Sequence, residues 1–138
     1  MKPVKQRYTV HEHGFGDCFN ACISSILEKP IEECSDIFPN TAKNWYREWQ
    51  KWLKQKGYYL DTCSKDTPPK GYSIISGETE RIYPENHEKA GLPIYHAVVA
   101  LDGQQIWDPY PNPSPLIVTN FYFTLTPIGT LDDLEDFD

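Results

Sequence analysis

The hydrophobic period of this chain changes at Gly57, and that change restricts what it can fold into. Before Gly57 the apolar residues recur at helical spacing. Phe19, Cys22, Ile23, Ile26 and Leu27 form one set, and Trp45, Trp49, Trp52 and Leu53, at i, i+4, i+7 and i+8, form a second stripe. The first set predicts a helix running to about Glu28, stopped by Pro30, with a short helical turn over Ile31 to Phe38. Asn40 or Thr41 can cap the second helix, and Gly57 after Lys54 and Lys56 ends it. Its tryptophan stripe reads as core packing rather than as a binding platform. After Gly57 the pattern predicts strands over Tyr58 to Cys63, Tyr72 to Ser76, Ile94 to Leu101, Gln104 to Asp108 and Phe121 to Leu125. Residues 4–10 predict a short edge strand, and His11 to Gly16 a loop. Gly77 to Leu92 reads as a long polar loop. Pro109 to Pro115 must be irregular, because proline cannot join a ladder. Helices first and an antiparallel sheet afterwards is the α+β pattern. Residues 1–138 fit one domain without repeats, with 131–138 a frayed acidic tail.

Composition excludes some functions. A net charge of −7 argues against a nucleic-acid partner held through its phosphates. No apolar run is long enough to cross a bilayer, so no membrane partner is expected. The basic start, Met1 to Arg7, lacks the apolar stretch of a signal peptide. The chain therefore reads as cytoplasmic, with Cys18, Cys22, Cys34 and Cys63 reduced.

One of those cysteines is placed for chemistry. In Gly14-Phe15-Gly16-Asp17-Cys18 the glycines allow a tight turn and Asp17 can cap the helix that Cys18 opens. Free N–H groups and the helix dipole favour negative charge there, so the thiol should ionise more easily and act as a nucleophile. His96 and Asp108 flank a downstream hairpin and can serve as its base and the base's orienter. The Cys18 backbone N–H is one oxyanion donor. Gln6, His11 and His13 are candidates for the second, and the sequence does not choose among them. Asp17, Phe19, Trp107 and Tyr110 are candidates for the substrate cleft, as are the segment Pro109 to Pro115 and the loop before His96.

The hairpin can be tested as geometry. A two-residue loop at Asp102-Gly103 pairs Ala97 with Asp108 and puts His96 and Asp108 on opposite faces. A three-residue loop, Leu101-Asp102-Gly103 with a bulge at Gly103, pairs Ala100 with Gln104 and sets His96 across from Asp108. The triad reading predicts the second register.

Gly16-Asp17-Cys18-Phe19-Asn20-Ala21-Cys22 resembles the nucleophile segment of papain-like cysteine peptidases, in particular the bacteriocin-processing branch. His96-Ala97-Val98-Val99 and Trp107-Asp108-Pro109 resemble that branch's His strand and its Asp-Pro. Small bacterial and phage proteins look similar, with a Ser-Gly segment like Ser76-Gly77. The resemblance spans most of the chain and departs from the family at two positions. Glu12 stands where the family often has Gln, and Phe19 where it usually has Gly. The resemblance implies a papain-like fold, N-terminal helices packed on an antiparallel sheet. It implies a peptidase-like hydrolase that cleaves a peptide or isopeptide amide through a Cys18 acyl-thioester. Its partner is a peptide or protein substrate, and it needs no cofactor and no metal. Amidase or acyl-transfer chemistry uses the same groups. The alternative is a degenerate papain-like fold serving as a protein-binding accessory module in a phage or bacterium.

The remaining features carry less. A zinc site from His11, Glu12 and His13 with Cys18 and Cys22 is weak, because no Cys-x-x-Cys pair exists. His87 sits in the long polar loop and reads as exposed. Lys51, Lys54 and Lys56 read as a solvated helix face. Gly77 to Arg81 lacks the spacing of a phosphate loop.

Overall fold

A computed structural model describes residues 1–37, 44–113 and 115–128. It is an α+β arrangement of three helices and a five-stranded, wholly antiparallel sheet. The helices are α1 (Val10–His13), α2 (Cys18–Leu27) and α3 (Trp45–Gln55), with a 3-10 turn at Ile31–Cys34. The strands are β1 (Tyr58–Ser64), β2 (Tyr72–Ile82), β3 (Pro93–Leu101), β4 (Gln104–Trp107) and β5 (Val118–Pro127). Their spatial order is β1-β5-β2-β3-β4. Among the described residues no helix is long and apolar enough to cross a membrane.

The helix α2 is sunk into the molecule rather than laid upon it. Every residue from Phe19 to Ser25 is buried. Its small polar residues fit because each finds a partner: backbone carbonyls for Asn20 and Ser25, and Cys34 Sγ for Ser24 Oγ (3.7 Å). Asn20 donates to Cys34 O (2.8 Å) and Ile37 O (2.7 Å), tying the 3-10 turn to the helix. Ser25 donates to Ala21 O. The tryptophan stripe of α3 is core, as its spacing predicts. Trp49 and Leu53 are fully buried, while Trp45 and Trp52 pack at the margin. Phe19 is the hub, with Trp45, Trp49 and Phe123 rings at 4.9–5.3 Å. This main core includes Ile74, Ala97, Val99 and Phe123 from the sheet. A smaller cluster joins Ile75, Val98, Ala100 and Tyr122.

One edge of the sheet is closed by a side chain. Gln50 of α3 accepts from Leu60 N and donates to Leu60 O, with Tyr46 Oη also donating to that carbonyl. The carboxamide replaces the neighbour that an edge strand lacks.

Several local expectations change. Residues 4–10 are not a strand. Lys2 N donates to Ser25 O, Val4 N to Ser25 Oγ and Gln6 N to Pro109 O, so this segment is a strap between α2 and the end of β4. Part of the expected loop His11 to Gly16 is the α1 turn, because Thr9 caps it through Glu12 N. Gly77 to Ile82 is not loop but a continuation of β2. Its polar residues hid the strand, and a bulge at Ser76/Gly77 breaks the alternation. The glycine is required there, since a Cβ would lie 2.0 Å from Val118 O. The caps Asn40 and Thr41, the end of the 31–38 turn, and the tail 131–138 lie outside the described residues; α3 begins after Asn44.

The buried stripe gives a graded test. Trp49→Ala is expected to cost about 3–5 kcal/mol of unfolding free energy in urea. Trp52→Ala, at the margin, should cost clearly less. Equal losses would contradict this packing.

Candidate active site

Asp17 decides how α2 begins. It does not cap the helix with its side chain, contrary to the expectation. Its fully buried carboxylate instead accepts from Arg7 N (2.8 Å), Tyr8 N (2.9 Å) and Arg7 Nε (3.1 Å). The helix start is thereby locked to the N-terminal strap. Cys18 becomes the first helical residue, half-buried.

The hairpin brings His96 and Asp108 together by a route other than the expected one. The loop has two residues, with Leu101 paired to Gln104 and both Asp102 (φ 51°) and Gly103 (φ 81°) left-handed. Asp102 favours this tight form because Gly71 N donates to its carboxylate and its own N–H donates to Gly71 O. The extra residue appears later, as a bulge between the pairs Ala100–Gln105 and Val99–Trp107. That insertion restores the parity that a two-residue loop loses. Asp108 lies just past β4 rather than directly across from His96. Even so, its Oδ1 meets His96 Nε2 at 2.6 Å and accepts from Tyr110 N at 3.0 Å.

With Nε2 held by Asp108, the other ring nitrogen is left for Cys18, whose thiol is hydrogen-bonded to His96. Both His96 and Asp108 are buried. Burial works against charge on either member of the Cys–His pair, and the contacts overcome it. Desolvation opposes ionisation of Cys18, yet the hydrogen bond and charge of His96, with the Ala97 N–H, hold its pKa below the ordinary 9.0. Desolvation likewise opposes protonation of His96, yet Asp108 and Cys18 raise its pKa from 6.5 to about 9. Both shifts favour a thiolate–imidazolium pair braced by a carboxylate, two coupled groups that titrate as a unit. Cys22, one turn on, is fully buried, and burial pushes its pKa well up. All four cysteines are free thiols.

Cys18 and His96 open into a cleft of about 410 Å³. Its walls are Gln6, the turn Gly14 to Gly16, Trp45, the end of β2 with Arg81 and Tyr83, the loop with His87, and Ile94 and Tyr95. Among the three oxyanion candidates the structure brings only Gln6 to this cleft. Its Nε2 donates to Tyr8 O (2.7 Å), which aims one amide hydrogen and leaves the other available. His11 and His13 line a neighbouring hollow, and His13 Nδ1 accepts from Thr9 N. The zinc grouping also fails to assemble. Cys22 is buried in the core, the histidines are exposed, and among the described residues no cluster could hold a metal.

The cleft candidates Asp17, Phe19, Trp107 and Tyr110 do not line it. Asp17 is the buried anchor and Phe19 the core hub. Trp107 packs on the core and donates to Val4 O. Tyr110 stands behind His96, ring edge to face at 6.0 Å. The segment after Pro109 therefore supports the triad from behind, while the loop before His96 does form a wall. His87 is half-buried in that wall, not exposed: Lys89 N donates to its Nδ1, so its Nε2–H donates to Gly14 O and pins the loop across the cleft. Arg81, Tyr83 and Trp45 were hidden from sequence reasoning. Arg81 and Tyr83 lay in a stretch read as loop, and Trp45 looked like core alone. No family model matches this chain, and neither does any curated protein or solved structure.

Because His96 keeps its proton to about pH 9 instead of 6.5, the stabilisation it draws from its partners is full below 6.5 and lost as pH rises through 9. Its ring should titrate near 9 by NMR, and Asp108→Asn should bring that value down. Iodoacetamide should modify Cys18 rapidly at pH 6–7 while Cys22 stays silent, and His96→Ala should move the onset up toward the ordinary thiol range of about 8.5. Peptide mapping that finds Cys18 no faster than Cys63 would remove the activated pair.

Proposed function

We propose that this chain is a cysteine peptidase-like hydrolase with a papain-like fold, cleaving a peptide or isopeptide amide. The observation that carries the reading is the His96 ring, bonded to the Cys18 thiol and to Asp108 Oδ1, at the wall of an open cleft. Supporting the fold reading is the arrangement of a nucleophile-bearing helix before a sheet that carries the base.

The Cys18 thiolate adds to the carbonyl carbon of the amide, and the carbonyl electron pair moves to oxygen. Cys18 N–H and the free Gln6 Nε2 hydrogen stabilise that oxyanion. The C–N bond breaks as the imidazolium gives its proton to the departing amine, leaving an acyl-thioester and neutral His96. His96 then takes a proton from water, the hydroxide attacks the thioester, and the carboxylic acid and Cys18 thiolate are released. Asp108 holds the tautomer and stabilises the imidazolium throughout. Four free thiols, one of them the nucleophile, suit the reducing cytoplasm of the producing or host cell.

The purified protein should cleave members of a peptide library read by mass spectrometry. Cys18→Ala should abolish cleavage, and Asp108→Asn should lower it by about a hundredfold or more. A wild type that cleaves nothing beyond Cys18→Ala, across peptide and amide substrates, would favour the protein-binding accessory role.

A further inference from the structure

Arg81 is the cationic cleft residue whose side-chain donors are left unspent on the described parts of the protein. Its guanidinium carbon lies over the Tyr110 ring, 3.7 Å from the ring centroid. Its Nε and Nη2 are shut away from solvent and have no hydrogen-bond partner, and no carboxylate pairs with it among the described residues. Stranding donors this way costs about 1–3 kcal/mol for each group, and more where charge is involved. Nε and Nη2 form the side-on edge of the fork, which grips a carboxylate with two parallel hydrogen bonds when the side chain turns that edge toward the cleft. Arg7 differs in that its Nε is paired to the Asp17 carboxylate, leaving only its Nη2 buried without a partner.

The position is tied to the chemistry. Tyr110 carries the guanidinium on its face, directs its ring toward His96, and donates its N–H to Asp108. Arg81 thus stands one aromatic ring from the catalytic imidazole and lines the same cleft as Cys18. Lys89 adds a second cation to the wall and Glu88 a single anion. Phe15, Trp45, Tyr83 and Tyr95 give the rest of the cleft an aromatic character.

We propose that Arg81 is a carboxylate-binding subsite of this cleft, selecting substrates that carry an acidic side chain or free carboxylate beside the amide to be cleaved. This rests on the hydrolase reading and adds the substrate's chemical class.

The test uses N-chloroacetyl derivatives of glutamate, glutamine and lysine amides, whose C–Cl bond breaks as the Cys18 sulfur bonds to carbon. Saturation kinetics separate KI, which reads occupancy of the cleft, from kinact, which reads the thiol. The glutamate probe should show the lowest KI. Arg81→Gln should raise that KI about tenfold or more, the low end for a hydrogen bond to a charged group, and leave the glutamine probe within about twofold. Arg81→Lys should recover part of the preference, as a point charge without the fork. Equal KI values for the three probes, or a glutamate preference that survives Arg81→Gln, would overturn the subsite. The glutamine probe's unchanged KI reports that the variant has kept its cleft. Slow kinact with every probe, unaffected by His96→Ala, would overturn the hydrolase reading instead, while the KI comparison still decides the subsite.

Discussion

The Asp17 carboxylate organises the half of the molecule that carries Cys18. It is fully buried and receives three hydrogens from Arg7 and Tyr8. A buried carboxylate is tolerable only when its oxygens are satisfied this completely. In satisfying it, the backbone at residues 7 and 8 is held against the beginning of α2. The same strap presents Gln6, whose backbone is pinned by Pro109 and whose amide is aimed by Tyr8. One anion therefore sets the positions of Cys18 and Gln6 relative to each other.

The second half of the site depends on the sheet in the same way. Gly77 is the residue paired with His96, and its missing Cβ lets the Val118 carbonyl approach. A larger residue would push β5 from β2 beside His96. Tyr110 then closes the rear, with its N–H on Asp108 and its ring against His96. Burial of His96 and Asp108 is what makes their pairing strong, because the surrounding low dielectric leaves neither a competing water. The contacts with Asp108 and Cys18 outweigh the desolvation that opposes charge, and so the imidazole holds its proton above its ordinary range.

The parts of this architecture carried by periodicity were legible in the sequence. The stripe Trp45-Trp49-Trp52-Leu53 announced α3, and the apolar set from Phe19 to Leu27 announced α2. The association of Cys18, His96 and Asp108 was legible from their chain order and flanking residues. What the sequence hid were features made by single polar contacts. Asp17 looked like a cap because aspartate before a helix usually is one, and only the strap's position makes it an anchor. The hairpin parity was foreseen, but its extra residue was assigned to the loop. The link between Asp102 and Gly71, 31 residues away, tightens that loop and displaces the bulge to Ile106. The extension of β2 through Thr79 was masked by its polar composition, and with it the cleft wall that bears Arg81.

The sheet order has a further consequence for when the molecule comes into being. The strand β5, at residues 118–127, lies between β1 and β2 and is the only neighbour of β1 among the described residues. The meander β2-β3-β4 can pair as it emerges, since its connections are short. The helix α3, which packs on β1, has no ladder to that meander until β5 is inserted, whereas α2 packs directly on β3. Cys18 and His96 can therefore be brought together by α2 and the meander alone. The flank made of α3 and β1 is fastened to them only when residues 118–127 have left the ribosome, so the sheet is locked by the strand that emerges last of its five.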